Sequence, residues 1–86
     1  MTVRIPTLLH SYTGGRREVE ASGSSVGEVM DSLDRVYPGL RFRVIDEQDR
    51  IRQHMLIFVN GKKVEELSQP LGPADQVQIL GALSGG

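Results

Sequence analysis

Residues 55–61 read Met-Leu-Ile-Phe-Val-Asn-Gly, and this stretch carries the strongest strand and turn signal in the chain. Five consecutive apolar residues, several of them β-branched or aromatic, predict a strand over Met55 to Val59. Asparagine and glycine tolerate the positive φ angles of a tight hairpin turn, so Asn60-Gly61 predicts the turn. Lys62 to Glu65 would be the short return strand, which completes a β-hairpin late in the chain.

One amphipathic helix is predicted upstream of this hairpin. Ser25-Val26-Gly27-Glu28 fits a capping box, in which the serine oxygen accepts from the third helical N–H and Glu28 accepts from the serine N–H. Apolar side chains then recur every three to four residues, at Val26, Val29, Met30, Leu33 and Val36. Tyr37-Pro38-Gly39 ends the helix. A helix of about three turns with one apolar face needs a sheet to cover.

The N-terminal part predicts a second hairpin. Thr2 to Leu9 reads as a first strand, in which Pro6 must lie at a strand end, at a bulge or where no partner strand faces it. Thr13-Gly14-Gly15 supplies a turn. The alternation from Arg17 to Ala21 then predicts a strand that pairs with the first.

The remaining stretches are less regular. Leu40 to Ile45 alternates apolar and arginine residues as a strand would, but its position directly after a helix stop also allows a short helical turn. Asp46 to Gln53 is charged, lacks a periodic apolar face and is expected to be an exposed loop. Gln76 to Ala82 alternates again and predicts the last strand, which leads into the C-terminal end.

The order of these elements is hairpin, helix, hairpin and final strand. One helix for several strands is typical of α+β rather than alternating βαβ architecture. A right-handed crossover would place the first and last strands parallel and side by side in the centre of the sheet. We therefore predict an α+β, β-grasp (ubiquitin-like) fold: a mixed sheet of four to five strands with one main helix packed on one face.

The chain ends Ala82-Leu83-Ser84-Gly85-Gly86. Glycine has no Cβ, so this end is thin enough to enter a channel that would exclude branched residues. We predict a folded domain over residues 1–82 and a flexible tail over 83–86, in which Leu83, Ser84, Gly85 and Gly86 enter a partner's active site. The alternative is a frayed end of small residues.

Composition excludes several classes of protein. Ten Lys and Arg against eleven Asp and Glu give a net charge of -1 over 86 residues, which offers no electrostatic reason to propose nucleic acid or a membrane surface as a partner. The chain has no cysteine, so it cannot form a disulfide, a thiolate metal site or a cysteine-based sulfur relay. With no signal peptide or membrane span evident, we expect a soluble cytoplasmic protein.

Few side chains suggest catalysis or metal binding. His10 and His54 are far apart in sequence, and each is expected near the surface beside a strand. Asp46, Glu47 and Asp49 lack the glycine and the distal glutamate of a calcium loop. We expect no catalytic side chain, no metal site and no bound cofactor.

Short motifs across the chain carry a resemblance to a known family. They are Ile5-Pro6-Thr7-Leu8-Leu9, Thr13-Gly14-Gly15, Tyr37-Pro38-Gly39-Leu40, Phe58-Val59-Asn60-Gly61 and Gly85-Gly86. On these motifs the chain resembles the ThiS/MoaD family of ubiquitin-like sulfur carriers over nearly its whole length. It is most similar to the CysO branch, whose carrier serves a cysteine synthase in actinobacteria. Leu8-Leu9-His10-Ser11 stands where a molybdopterin-synthase small subunit more often has a Phe-rich strand and an Arg-Glu motif.

The resemblance implies a carrier and co-substrate rather than an enzyme. An E1-like, MoeB/ThiF-type enzyme would use ATP to adenylate the carboxylate of Gly86, and a sulfur donor would displace AMP to leave a thiocarboxylate. The implied acceptor is a cysteine synthase or a thiolating biosynthetic enzyme, and a metalloprotease that trims the tail is a further implied partner. The alternatives are a molybdopterin-synthase small subunit, a ubiquitin-like modifier conjugated through Gly86, and a passive interaction module.

A four-residue tail offers too little specificity to select an enzyme, so we expect a folded docking patch. Period-two geometry divides the strand at residues 55–59 into two apolar faces. The face expected to pack under the helix comprises Met55, Ile57 and Val59, together with Val77 and Ile79. Leu56, Phe58 and Leu80 would remain partly exposed and form the docking patch. The alternative is that a loop, or the charged segment after Ile45, covers them.

Overall fold

The computed structural model describes residues 1–81, which form a five-stranded mixed sheet with two α-helices. The strands are β1 Thr2–Arg4, β2 Glu18–Glu20, β3 Met55–Val59, β4 Lys62–Val64 and β5 Val77–Gly81. The helices are α1 Val26–Val36 and α2 Leu40–Val44. The strand order is β2-β1-β5-β3-β4. β1 and β5 are parallel and all other neighbours are antiparallel, which confirms the predicted α+β, β-grasp topology.

The C-terminal hairpin forms as its sequence predicts. Asn60 and Gly61 both have positive φ angles, 50° and 83°, which is the requirement of a type I′ turn. Val59 pairs with Lys62 on the two sides of this turn. The turn thereby fixes the register of β3, which in turn fixes which of its side chains point towards the helices.

The core lies between the inner face of the sheet and the helices. The strand side chains predicted to point inward are all buried: Met55, Ile57, Val59, Val77 and Ile79. α1 contributes four buried side chains, at Val26, Val29, Met30 and Leu33. Burial of these apolar surfaces is the main force that holds the sheet and the helix together.

The predicted start of α1 is confirmed, with one change in the cap. Ser25 Oγ accepts a hydrogen bond from the Glu28 N–H at 3.2 Å. The Glu28 carboxylate accepts from both the N–H and the hydroxyl of Ser24, each at 3.0 Å, rather than from the Ser25 N–H. Two donors on one residue hold this carboxylate, and the Ser24 backbone hydrogen bond lowers the pKa of Glu28 because it favours the charged form.

The first strand is shorter than predicted. β1 ends at Arg4, and residues Thr7–Leu9 form a 3₁₀ turn rather than the second half of a strand. Pro6 lacks the N–H that a continued ladder requires, so the chain leaves the sheet at this point. The turn buries Leu9 and leaves Leu8 52% exposed.

The predicted apolar face of α1 also needs one correction. Val36 is 64% exposed, because the helix ends at this residue and the chain reverses at Gly39. Gly39 has a φ of 94°, a left-handed conformation that favours glycine. The last side chain in the apolar pattern therefore extends beyond the covered part of the helix.

Leu40 to Ile45, for which the sequence left two possibilities, contains the short helix α2. Leu40 and Val44, one turn apart, are buried, whereas Phe42 between them is 55% exposed. Arg41 forms two ion pairs that anchor this helix. Its guanidinium lies 3.0 Å from the carboxylate of Asp31 in α1 and 3.0 Å from the carboxylate of Asp49. α2 is thus held in place on the side of the sheet that α1 covers.

Asp46 to Gln53 forms a loop, as predicted. The Asp46 carboxylate accepts hydrogen bonds from the N–H groups of Gln48 at 2.9 Å and Arg50 at 3.0 Å. The Arg50 backbone hydrogen bond is the main reason that the pKa of Asp46 is lowered, because it stabilises the charged carboxylate. The acidic cluster predicted to be a solvated loop therefore includes one carboxylate that organises the loop itself.

Candidate functional site

The candidate site is organised around the end of β5. This strand lies in the interior of the sheet, between β1 and β3, and its last residue, Gly81, pairs with Met55. Ala82 follows Gly81 in the sequence, and the predicted tail residues Leu83, Ser84, Gly85 and Gly86 lie outside the described residues. The structure thus describes the base from which the tail begins, and the roles of the tail residues stay predictions.

The three residues of the predicted docking patch lie together on the outer face of the sheet. Leu56 pairs with Leu80 across β3 and β5. Phe58 lies two residues further along β3, where it pairs with Gln78 on one side and Lys63 on the other. Leu56, Phe58 and Leu80, which we call the sheet patch, are all half-buried. Their juxtaposition and partial exposure agree with the sequence-based expectation, and their role in docking stays a prediction.

A second surface, which combines apolar and charged side chains, lies at the same end of β5 and was missed by the sequence analysis. It is an open groove of about 540 Å³ between the 3₁₀ turn, α2 and the start of β3. Its lining includes Leu8, Phe42, Arg43, Asp46, Arg52 and Met55; we call it the α2 groove. The one sequence signal that could have revealed it is an aromatic residue that lies between two arginines, at residues 41–43.

The wall of the α2 groove is fixed by contacts between the loop and α2. Arg52 donates from Nε to the Phe42 carbonyl at 2.7 Å, and its guanidinium carbon lies 4.5 Å from the centre of the Phe42 ring. The backbone N–H of Arg52 also donates to the Val44 carbonyl at 2.9 Å. A cation above an aromatic face is attracted to it, so these contacts hold the Phe42 ring in one orientation.

The α2 groove borders the last residue of β5. A Cβ placed on Gly81 would overlap the Cδ2 methyl group of Leu8, so the Leu8 side chain lies directly against this glycine. Met55, which also lines the groove, is the residue that pairs with Gly81. Alternation along β5 places Leu80 on the outer face and Gly81 on the inner face. The sheet patch and the α2 groove therefore flank the same strand end on opposite faces of the sheet.

The other candidate residues do not form a reactive site. His10 is half-buried, with Nε2 3.0 Å from the Ile5 carbonyl oxygen, and His54 is exposed. Within residues 1–81, no group of three or more histidines and carboxylates is arranged to hold a metal ion. Neither helix in this part of the chain is long and apolar enough to cross a membrane.

The sheet order, the parallel pair of first and last strands and the helix across one face define the chain as a β-grasp, ubiquitin-like protein. Its sequence agrees with this class, since the model of the ThiS family matches residues 3–86. The chain belongs to the ThiS family. The match extends over the C-terminal Gly85-Gly86 that follows β5.

Relatives with known names are similar over nearly their full length. The sulfur carrier protein CysO of Mycobacterium tuberculosis is 35% identical over an alignment that covers 100% of this chain and 98% of the relative. The crystal structure of the Amycolatopsis orientalis BexX/CysO complex contains a chain that matches with a TM-score of 0.92 and 33% identity, covering 99% of this chain and 98% of that one. The crystal structure of M. tuberculosis CysO matches with a TM-score of 0.90 and 34% identity over 95% of this chain and 98% of that one.

Proposed function

We propose that this chain is a sulfur carrier protein that holds sulfur as a thiocarboxylate on Gly86. The observation that carries the proposal is the match, over the whole of this chain, to a protein named sulfur carrier protein CysO. The fold supports it, because the interior strand β5 ends at Gly81, only five residues before Gly86. An interior, hydrogen-bonded strand followed by five residues that end in two glycines suits the delivery of a terminal carboxylate to another protein.

The chemistry begins with activation of the carboxylate, which is a poor electrophile at neutral pH. An adenylating enzyme joins the Gly86 carboxylate to the AMP unit of ATP and releases pyrophosphate, which creates a mixed anhydride with a good leaving group. A donor whose sulfur is at the oxidation level of sulfide then attacks the carbonyl carbon. The C–S bond forms, the C–O bond to AMP breaks, AMP leaves and a proton is lost, so that the product is a thiocarboxylate.

In this scheme the chain is a co-substrate and contributes no acid, base or nucleophilic side chain. The adenylating enzyme is of the E1-like, MoeB/ThiF type, and ATP is bound and consumed by that enzyme. The chain has no cysteine. The carrier therefore has no thiol of its own that would compete with the sulfur donor for the activated carbonyl. The thiocarboxylate would be the only thiol-like sulfur on the protein, because the other sulfur atoms are methionine thioethers.

The sulfur acceptor that we propose is a cysteine synthase or another enzyme that makes a sulfur-containing metabolite. A chain similar to this one was solved in the crystal structure of a BexX/CysO complex, which supports docking of this chain on a protein partner. The sheet patch of Leu56, Phe58 and Leu80 is the proposed docking surface, because partly exposed apolar residues in a cluster mark protein interfaces.

Intact mass spectrometry tests the proposal. The chain is incubated with its cognate adenylating enzyme, ATP and a sulfide source. If it is a carrier, its intact mass should rise by the difference between a sulfur atom and an oxygen atom. Because the chain has no cysteine, a thiol-specific alkylating reagent should label the product and leave the untreated chain unlabelled. The variant that lacks Gly86 is the matched control and should remain unmodified.

Other outcomes of this experiment would contradict the proposal. Adducts between Gly86 and lysine side chains, in place of the exchanged sulfur, would identify a protein modifier. In a second assay that offers the thiocarboxylate both acceptor systems, sulfur transfer to a molybdopterin precursor in preference to a cysteine precursor would overturn the proposed acceptor and identify a molybdopterin-synthase small subunit. An unchanged mass with an active enzyme and ATP would identify a passive interaction module.

A further inference from the structure

The α2 groove gathers apolar side chains that the fold does not bury. Three large apolar side chains in residues 1–81 are more than half exposed: Leu8, Val36 and Phe42. Two of them, Leu8 and Phe42, line this one groove, although they come from parts of the chain more than thirty residues apart. Single exposed apolar residues are common on proteins, whereas a cluster of them in a concave surface indicates a binding site.

The charge of the groove is positive. Arg43 and Arg52 line it, together with one acid, Asp46. Asp46 accepts two backbone N–H groups of its own loop, both at Oδ1, and keeps its negative charge, so two arginines and one aspartate give the lining a net charge of +1 with His54 neutral. Among the described residues, no carboxylate lies within ion-pair distance of Arg43. The groove therefore offers cationic groups beside apolar ones, and a partner with carboxylates beside an apolar side chain complements it.

The geometry of the groove is set before any partner binds. Arg52 is tied to α2 by its backbone and side-chain hydrogen bonds, to Val44 and Phe42 respectively. α2 itself is tied to α1 through Arg41 and Asp31. A surface that is already ordered loses less conformational entropy when a partner docks. This favours a specific interface over an adaptable one.

The position of the groove indicates that its occupant is a protein that acts on Gly86. Five residues follow Gly81, so any active site that holds Gly86 must come within roughly 16 to 18 Å of Gly81. The α2 groove borders Gly81, because Leu8, one of its lining residues, lies against that glycine. A protein that holds Gly86 in its active site is therefore brought close to this surface.

We propose that the α2 groove docks an acidic segment, carrying one large apolar side chain, of the enzyme that adenylates Gly86. This inference rests on the proposed function and deepens it, because it gives the chemistry of the partner's contact surface. The apolar side chain packs against Leu8 and Phe42, and the carboxylates of the segment pair with Arg43 and Arg52. The groove thus acts before sulfur transfer, at the step in which the enzyme selects its carrier.

Steady-state kinetics with the cognate adenylating enzyme and ATP test the groove. We compare the wild-type chain with the double variant Leu8→Ser/Phe42→Ser and with Arg43→Glu, and measure release of pyrophosphate as a function of carrier concentration. Loss of a central contact should raise the KM for the carrier roughly tenfold or more and leave kcat nearly unchanged. The effect of Arg43→Glu should shrink as the salt concentration rises.

The matched controls are Val36→Ser and Arg35→Glu, which make the same kinds of change, apolar to serine and arginine to glutamate, at exposed positions of α1 outside the groove. Melting temperatures of all variants report whether the fold is intact, and Arg43→Glu gives an answer even if the double variant fails to fold. Controls should keep the wild-type KM. A KM within twofold of wild type for the groove variants, or equal losses in the controls, would show that the groove is not the docking site.

Two further results distinguish a failure of the groove assignment from a failure of the proposed function. If the groove variants are adenylated normally and fail only with the sulfur acceptor, the assignment to the adenylating enzyme is wrong. If the wild-type chain itself is not adenylated by the active enzyme, the proposed function fails and the groove assignment fails with it.

Discussion

The two faces of the sheet at β3 and β5 are both apolar, yet they have different surroundings. On the inner face Met55, Ile57 and Ile79 are buried beneath the helices. On the outer face Leu56 and its neighbours are half-buried, and no helix of the described residues covers them. The number of covering elements, rather than the hydrophobicity of the strand, therefore decides which face becomes the core. Apolar residues on the uncovered face are free to serve recognition.

Under the proposed function, three properties belong to three places: stability to the buried inner face, recognition to the sheet patch and the α2 groove, and reaction to the end of the chain. The largest functional effect is expected at the third place. Deletion of Gly86, or its replacement by a bulky residue such as Trp, should abolish activation, because the terminal carboxylate then falls one residue short of the reacting position or is excluded from a narrow channel. Pyrophosphate release with the adenylating enzyme measures this effect.

The same deletion should leave both faces of the sheet unaffected. A terminal glycine has no side chain to bury, so the free energy of unfolding should change by no more than about 0.5 kcal/mol. Thermal unfolding of the deletion variant is the check. A large drop in melting temperature would mean that the end of the chain contributes to the fold, and the separation of reaction from stability would be wrong.

The next largest effect should separate the two faces directly. Ile57→Ala removes buried atoms from the inner face and should cost about 2 to 5 kcal/mol in the free energy of unfolding. Leu56→Ala, at the adjacent half-buried position, should cost about 1 kcal/mol or less. Urea denaturation of both variants gives these values, and Ile57→Val provides a milder inner-face change of about 0.5 to 1.5 kcal/mol. Equal losses at residues 56 and 57 would contradict the comparison.

A smaller effect, on binding, should appear on the outer face. Phe58→Ser together with Leu80→Ser should weaken binding to the adenylating enzyme or the sulfur acceptor roughly tenfold, which is typical of a lost interface contact. The fold should survive because both side chains are only half-buried. Gln78→Ser, a polar change on the same face, is the control. Unfolding of the double variant, or unchanged transfer, would show that the sheet patch is not a docking face.

Much of the fold was predictable because its signals are local. The start of α1 is specified by the Ser25 cap and by a periodic apolar face. The hairpin of β3 and β4 is specified by Asn60-Gly61, which sets the register of β3. Register together with alternation was enough to divide the strand into a buried face and a half-buried face, and so to place the sheet patch correctly in space.

The errors arise where the outcome depends on distant parts of the chain. Leu8 resembles a strand residue, and only the departure of the chain from the sheet at Pro6 turns it outward. The five residues of α2 are too few for a helical and a strand period to be distinguished. Phe42 and Leu8 meet through tertiary packing alone. The α2 groove could therefore not be derived from the sequence, although Phe42 with its arginine neighbours was visible there.

The smallest expected effect concerns Glu28, at the start of the helix that covers the inner face. Its carboxylate is held by Ser24, and the pKa of Glu28 is lowered in the folded chain, chiefly by the Ser24 backbone hydrogen bond. The folded state therefore favours the charged form, and the resulting stabilisation is complete above the pKa of the unfolded chain and is lost as the pH falls through the folded pKa. Glu28→Gln should lower the melting temperature slightly at neutral pH, and the difference from wild type should vanish in acid.

The control is Glu47→Gln, a change in an exposed loop. Both variants should bind partners as the wild-type chain does. If the melting temperature of Glu28→Gln stays below that of wild type at low pH, the shape of the side chain rather than its charge stabilises the cap.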